Sequence, residues 1–216
     1  VYDNKLKVEN MNAFTSKFNR TIVSGEKPIR QIEQIEFRDV CFQYPGTNVP
    51  ILDHVNFTIK NRETVVLVGK NGSGKSTLIK LLLRLYDTTS GMVLINGEDI
   101  RSYCLDDLYR CFGIYFQNAP NFSFTIRENI ILSGSSNNET ESRIRNLLLA
   151  CAGEDILRAC HEDVDTYLTR IFSEDGIELS EGQHQKIAIV RALYQDASCL
   201  ILDEPSSALD PEAEHH

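Results

Sequence analysis

Between residues 34 and 60 apolar side chains alternate with polar ones: Ile35, Phe37, Val40, Phe42 and Tyr44, then, past Pro45-Gly46, Ile51, Val55, Phe57 and Ile59. Two period-two runs separated by a turn predict antiparallel strands. The alternation then gives way to the unbroken apolar run Val65-Val66-Leu67-Val68, the pattern of a strand buried on both faces. It leads into Gly69-Lys70-Asn71-Gly72-Ser73-Gly74-Lys75-Ser76-Thr77 and then the helical stretch 78–83. After a turn at Thr88-Thr89-Ser90-Gly91, residues 92–95 with Asn96-Gly97 predict a strand and a hairpin turn. Asp106-Asp107-Leu108-Tyr109-Arg110 suits a short helix with its acids at the positive end of the dipole. Gly113-Ile114-Tyr115-Phe116 is a further core strand, with Gln117 at its end.

The next stretch has helical periodicity. Thr125-Ile126-Arg127-Glu128 forms a capping box, a polar run at 133–138 interrupts, and Ile144, Leu147, Leu148 and Cys151 mark an amphipathic helix, with a shorter one at Ile156, Leu157 and Ala159. Residues 125–172 thus look like a helical insertion between two parts of a parallel-sheet core. Leu179-Ser180-Glu181-Gly182-Gln183 precedes a strong helix over 184–194, with Ser180 and Gln183 in capping-box spacing. Cys199-Leu200-Ile201-Leu202 reads as a central parallel strand buried on both faces, ending at Asp203-Glu204-Pro205. Before all this, residues 1–28 are polar, with Tyr2, Leu6, Met11, Phe14 and Phe18 as scattered apolar points, and predict a short helix and a linker. The expected division is a leading segment 1–30, an antiparallel part 31–64, a core of 65–117 with 185–216, and a helical part 118–184.

The loop at 69–77 carries the clearest chemistry. Glycines at Gly69, Gly72 and Gly74 let the backbone take positive φ and close its N–H groups on phosphate oxygens. Lys75 brings a full charge to β- and γ-phosphates, Ser76 a hydroxyl for Mg²⁺, and the helix start a favourable dipole. Two carboxylates at a buried strand end are costly unless they hold a metal or a proton. Asp203 therefore suits Mg²⁺, and Glu204 a water in line with the γ-phosphate. On the residues alone, Tyr44 reads as packing on a sheet, Gln117 as a loop residue and Ser180 as a helix cap, although a capped helix with Gly182 in its first turn is also an anion site.

Composition narrows the partners. With 22 basic against 31 acidic side chains the net charge is −9, which disfavours non-specific binding to nucleic acid. No stretch approaches the roughly 18 apolar residues of a membrane span, and no secretion signal opens the chain. Cys41, Cys104, Cys111, Cys151, Cys160 and Cys199 include no Cys-x2-Cys pair and read as reduced core thiols.

The order of Tyr44, the phosphate loop, Gln117, Leu-Ser-x-Gly-Gln at 179–183, the apolar strand ending Asp203-Glu204, and Ser207-Ala208-Leu209-Asp210 resembles the nucleotide-binding domain of ABC transporters, over about 34–214. The resemblance implies a P-loop NTPase of the α/β class: a parallel-sheet core, an antiparallel β-subdomain and an inserted α-helical subdomain. It implies ATP and Mg²⁺ as cofactors, Tyr44 stacked on adenine, and Gln117 touching Mg²⁺ and signalling to a membrane domain. Leu179, Ser180, Glu181, Gly182 and Gln183 become the signature that clamps a partner domain's ATP. Ser207, Ala208, Leu209 and Asp210 become the loop crossing between two subunits in a head-to-tail sandwich, of identical or different chains. The runs 117–122 and 125–130 and the acidic Ser173-Glu174-Asp175-Gly176 are similar to exporters, so the implied role is an ATPase motor at the cytoplasmic face of a membrane. A soluble ABC ATPase acting on ribosomes or DNA is the alternative, without the tandem cassettes that class would want. A regulatory cassette that binds ATP without turnover is a third, and Lys75, Asp203 and Glu204 argue against it. Glu181 departs from the usual glycine, and Asn61-Arg62 from the usual turn glycine. The family's switch histidine falls past the end of this chain, and His215 and His216 come too early for that role, so the resemblance implies a piece that binds ATP and hydrolyses it poorly.

Overall fold

The computed structural model describes residues 22–70, 72–116, 122–132, 138–171 and 173–203. Contacts divide the chain into two compact units, one of residues up to Pro28 with Gln34–Leu105, the other of Ile29–Glu33 with Asp106 onward.

The first unit is built on a four-stranded antiparallel sheet. Strands β1 (Gln34–Gln43), β2 (Pro50–Lys60), β3 (Ser90–Ile95) and β4 (Glu98–Asp99) lie in the order β2-β1-β3-β4. The register pairs Ile35 with Ile59 and Ile95, and Phe37 with Phe57 and Val93, so the alternating apolar positions share one face. Phe37 stacks on Phe57 with centroids 4.5 Å apart. Asn96 and Gly97 both take positive φ, as a two-residue hairpin turn demands. Helix α1 (Lys75–Leu82) follows the phosphate loop and buries Ile79, Leu81 and Leu82.

Two expectations fail in this unit. Residues 65–68 join no ladder among the described residues and lie between 41% and 90% exposed, so they are not the buried strand predicted. A strand exists through its neighbours' hydrogen bonds, and an apolar run without them stays in solvent. The linker expected near residue 28 is instead docked: Gly25 N–H donates to the Tyr103 carbonyl at 3.0 Å and Lys27 N–H to the Ser102 carbonyl at 2.9 Å. The helix expected within residues 1–21 lies outside the described residues.

The second unit contains a parallel pair, β5 (Phe112–Tyr115) and β6 (Cys199–Leu202), and helices α2 (Leu105–Arg110, whose first residue belongs to the other unit), α3 (Ile126–Ile131), α4 (Asn138–Ala150), α5 (Glu154–Ala159) and α6 (Glu181–Tyr194). Helices α3 to α6 enclose a core of Ile126, Ile130, Ile144, Leu148, Ile156 and Ile187, all at most 2% exposed. Burial of each such side chain is worth about 1.5–3 kcal/mol before entropy. Strand β6 departs from its expected two-sided burial: Leu200 and Leu202 are 44% and 41% exposed, because β5 is its one ladder partner among the described residues. All six cysteines are free thiols. No helix among the described residues is long and apolar enough to cross a membrane.

Candidate functional site: a phosphate loop and a capped anion helix

The phosphate loop closes on itself. Ser73 N–H donates to the Lys70 carbonyl at 3.1 Å, and the Lys75 ammonium donates to the carbonyls of Gly69 at 2.7 Å and Lys70 at 3.3 Å. The loop therefore already holds its cationic group above its own backbone. Gly72 and Gly74 have φ of +82° and +95°, as the phosphate-cradle reading requires; Gly69 does not share that conformation, a correction to the expectation of three left-handed glycines. A Cβ on Gly74 would lie 2.8 Å from Leu52 Cδ2 and 3.2 Å from the Ile51 carbonyl, so only glycine fits where the loop meets β2.

Helix α1 begins at Gly74 with no side-chain cap and no acidic residue in its first turn. The contrast with the second unit is chemical. Helices α2, α3, α5 and α6 each carry Asp or Glu in the first turn, and α3 and α6 add complete capping boxes at Thr125 and Ser180. The four leading N–H groups of a helix need acceptors, and its N-terminus favours negative charge. In α1 the sequence supplies neither, which leaves the start of the helix suited to an external anion.

Ser76 stands in the first turn of α1 and is exposed, and the buried Thr77 hydroxyl lies 3.1 Å from the Tyr44 phenol. Lys80 donates to that phenol at 3.3 Å and sits 5.4 Å from the ring centroid. Phe42 and Tyr86 meet the Tyr44 ring edge-on at 5.0 and 5.3 Å. Tyr44 is thus fixed beside the loop helix, with its ring body packed as the residues alone suggested. Lys80 was not foreseen as part of this arrangement; its place on the helix face one turn past Ser76 was the available signal.

In the second unit Ser180 caps α6: its hydroxyl accepts from Gln183 N–H at 3.3 Å, and the Gln183 carbonyl oxygen Oε1 accepts from Ser180 N–H at 2.9 Å. Gln183 Nε2 donates to Asp155 at 2.7 Å. Leu179 and Gly182 are half-buried and Glu181 exposed. Asp203 follows β6 directly and its N–H donates to the Tyr115 carbonyl at 3.0 Å, tying the strand end to β5. Asn71, Gln117, Glu204, Ser207, Ala208, Leu209 and Asp210, like His215 and His216, lie outside the described residues.

Two further residues frame the segment after Gln117. Buried Asn129 donates through Nδ2 to the carbonyls of Phe122 at 3.0 Å, Phe124 at 3.3 Å and Thr125 at 3.0 Å. Arg191 on α6 donates to the Asn129 carbonyl at 2.7 Å and lies over the Phe122 ring at 5.4 Å. Burial pushes the Arg191 pKa down. The signal available was an asparagine inside a short helix, where its side chain competes with the backbone unless it is assigned elsewhere.

For a hard cation the expectation names Ser76, Gln117 and Asp203, all oxygen donors, the kind magnesium prefers, with Gln117 outside the described residues. A different trio, Cys41, Asp53 and His54, places sulfur, nitrogen and oxygen atoms within 4.8 Å of one another. Its imidazole is engaged by Asp39 at 2.7 Å, and a thiol–imidazole set does not suit magnesium.

The family model described as ABC transporter matches residues 52–207. The ATP-dependent lipid A-core flippase of Vibrio cholerae serotype O1 is 40% identical over 181 residues, 84% of this chain and 30% of the flippase. ABC transporter B family member 15 of Arabidopsis thaliana is 43% identical over 192 residues, 88% of this chain and 15% of that protein. A solved structure of a bacterial Atm1-family ABC exporter with ATP bound superposes on 97% of this chain with a TM-score of 0.78 at 27% identity, and the chain covers 37% of it. The chain therefore spans about a third or less of these relatives. With a family match over well more than half its length and the P-loop ATPase fold in its structure, this chain belongs to the ABC transporter family.

Proposed function

We propose that this chain is the ATP-binding and hydrolysing motor domain of an ABC exporter, working with a transmembrane domain and a second nucleotide-binding domain at the cytoplasmic face of a membrane. The observation that carries it is the acid-free, glycine-capped start of α1 under the Lys75 ammonium. The relatives, a flippase and an exporter with ATP bound, support the transport half, and none supports action on ribosomes or DNA.

In this reading the backbone amides of residues 69–77 and the Lys75 ammonium receive the phosphates, moving the ammonium from carbonyl partners to a stronger, charge-assisted contact. Ser76, Asp203 and Gln117 hold Mg²⁺, which when bound neutralises phosphate charge. Tyr44 packs on adenine, and Glu204 orients the attacking water. Leu179, Ser180, Glu181, Gly182 and Gln183 complete the site of the second domain, with Ser207, Ala208, Leu209 and Asp210 at the crossing between the two. Leading segment, antiparallel subdomain, core and helical subdomain then divide as 1–30, 31–64, 65–117 with 185–216, and 118–184.

Calorimetric titration of Mg-ATP tests the reading. Lys75→Ala removes one charged contact, worth about 1.5–3 kcal/mol, so affinity falls by about 10- to 150-fold. An unchanged affinity in that variant, or no binding by the parent chain, overturns it.

A further inference from the structure

We infer that Asp155 is a positioning residue for the signature, holding Gln183 and, through it, the Ser180 cap in the geometry that receives a second chain's nucleotide. The inference rests on the proposed head-to-tail pairing. Gln183 is bonded inside the chain at both ends of its carboxamide. Its N–H and its Oε1 close the capping box with Ser180, and its Nε2 donates to Asp155 Oδ2 at 2.7 Å. The other carboxylate oxygen, Oδ1, accepts from Lys186 Nζ at 3.1 Å, and that ammonium also donates to the Ala152 carbonyl at 2.6 Å. Gln183 and Lys186, three residues apart, lie on one face of α6 and grip a carboxylate in the first turn of α5.

The consequence concerns what the glutamine does. With each end of its carboxamide bonded, to Ser180 and to Asp155, Gln183 acts as a frame for the Ser180 cap. An unrestrained carboxamide would swing about its side-chain torsions and release the Ser180 N–H, loosening the turn that presents the hydroxyl of Ser180 and the amides of the first turn. Asp155 is the group that prevents this. Burial alone would raise its pKa, yet the hydrogen bonds from Gln183 and Lys186 outweigh burial and hold it below the usual carboxylate range, so it is ionised at neutral pH. Its charge makes both bonds charge-assisted.

The test is ATP-dependent association of the chain carrying Glu204→Gln, which slows turnover, followed by sedimentation velocity with Mg-ATP. Adding Asp155→Ala should weaken dimerisation about tenfold or more while leaving Mg-ATP affinity of each chain within about twofold, because the phosphate loop is in the other unit. Asp155→Asn keeps an acceptor for Gln183 Nε2 and should restore dimerisation to within about threefold of the parent. Mixing the Asp155→Ala chain with a Lys75→Ala chain should give ATP-dependent heterodimers tighter than either variant's homodimer, since one site then pairs an intact loop with an intact signature. Dimerisation of Asp155→Ala at parental strength, or loss of its own ATP binding, or a mixture no tighter than either homodimer, overturns the inference and leaves the sandwich reading standing. Absence of an ATP-dependent dimer in the parental Glu204→Gln chain overturns the sandwich reading and the inference with it.

Discussion

Gly74 offers a quantitative check on how the phosphate loop is held. Its φ of +95° places it where an L-residue pays about 1–2 kcal/mol for its Cβ. That Cβ would also press within 2.8 Å of Leu52 Cδ2 and 3.2 Å of the Ile51 carbonyl oxygen, and Leu52 is only 4% exposed. Neither neighbour retreats freely, since one is core and the other is backbone of β2, so overpacking adds about 1–3 kcal/mol. Gly72 is the internal control: its φ of +82° carries the same backbone cost, but its Cβ would meet nothing within 4 Å among the described residues. Gly72→Ala should therefore lose about 1–2 kcal/mol of stability and Gly74→Ala about 2–5 kcal/mol, both read from urea denaturation. Relief of the Gly74→Ala clash moves the start of α1, so Mg-ATP affinity should fall further in that variant than in Gly72→Ala. If Gly72→Ala proves as damaging as Gly74→Ala in both assays, contact with β2 is not what positions the loop.

Two other outcomes follow from single groups. Tyr115 buries its hydroxyl without a hydrogen-bond partner among the described residues, so Tyr115→Phe should raise stability by about 1 kcal/mol or more, measured by urea denaturation; a loss of stability would contradict the unpaired hydroxyl. Arg127 bonds both oxygens of Asp165, at 2.6 and 2.9 Å, and its hydrogen bonds hold that carboxyl below its ordinary value. A depressed folded pKa stabilises the native state above the unfolded value of about 3.9 and loses that contribution as pH falls through the folded value. The stability gap between the parent chain and Asp165→Asn should stay level from about pH 7 to 5 and close below about pH 4; a gap that widens in acid would refute the sign.

How much of this was legible in the sequence depended on how local each signal was. Alternation in 34–59 marked β1 and β2, because a half-buried antiparallel strand writes its two faces into its residues. The capping boxes at Thr125 and Ser180 were readable for the same reason, since each bond spans three residues. Failures came where a residue's state depends on distant neighbours. The run 65–68 has the composition of a buried strand, but composition does not provide a ladder, and Leu200 and Leu202 are exposed on the same ground. The bond between Asp155 and Gln183, 28 residues apart in sequence, was invisible, because only the packing of α5 against α6 brings the carboxylate to the carboxamide.

The site's own logic lies in how helix N-termini are filled. A helix that must be stable by itself supplies its own acceptors, and α3 and α6 do so with a hydroxyl, a reciprocal side chain and an acid. In α1 glycine in place of a side-chain cap gives up a few tenths of a kcal/mol, and the missing acid about 0.3–1 kcal/mol. A lysine at the first helical position, with no acid beside it, would be a poor choice for a structural helix, since the cation opposes the dipole. It is a consistent choice for one completed by a multiply charged anion, whose arrival satisfies the amides, reverses the unfavourable pairing of Lys75 with the dipole, and replaces the carbonyls of Gly69 and Lys70 as its partners. In α6 the self-sufficient cap and Glu181 make the opposite compromise: the turn is ordered before any ligand comes, at the cost of a carboxylate beside the place where a phosphate would bind. The chain thus presents one N-terminus without acceptors of its own and another that supplies them, and it is the second whose glutamine is bonded to Asp155.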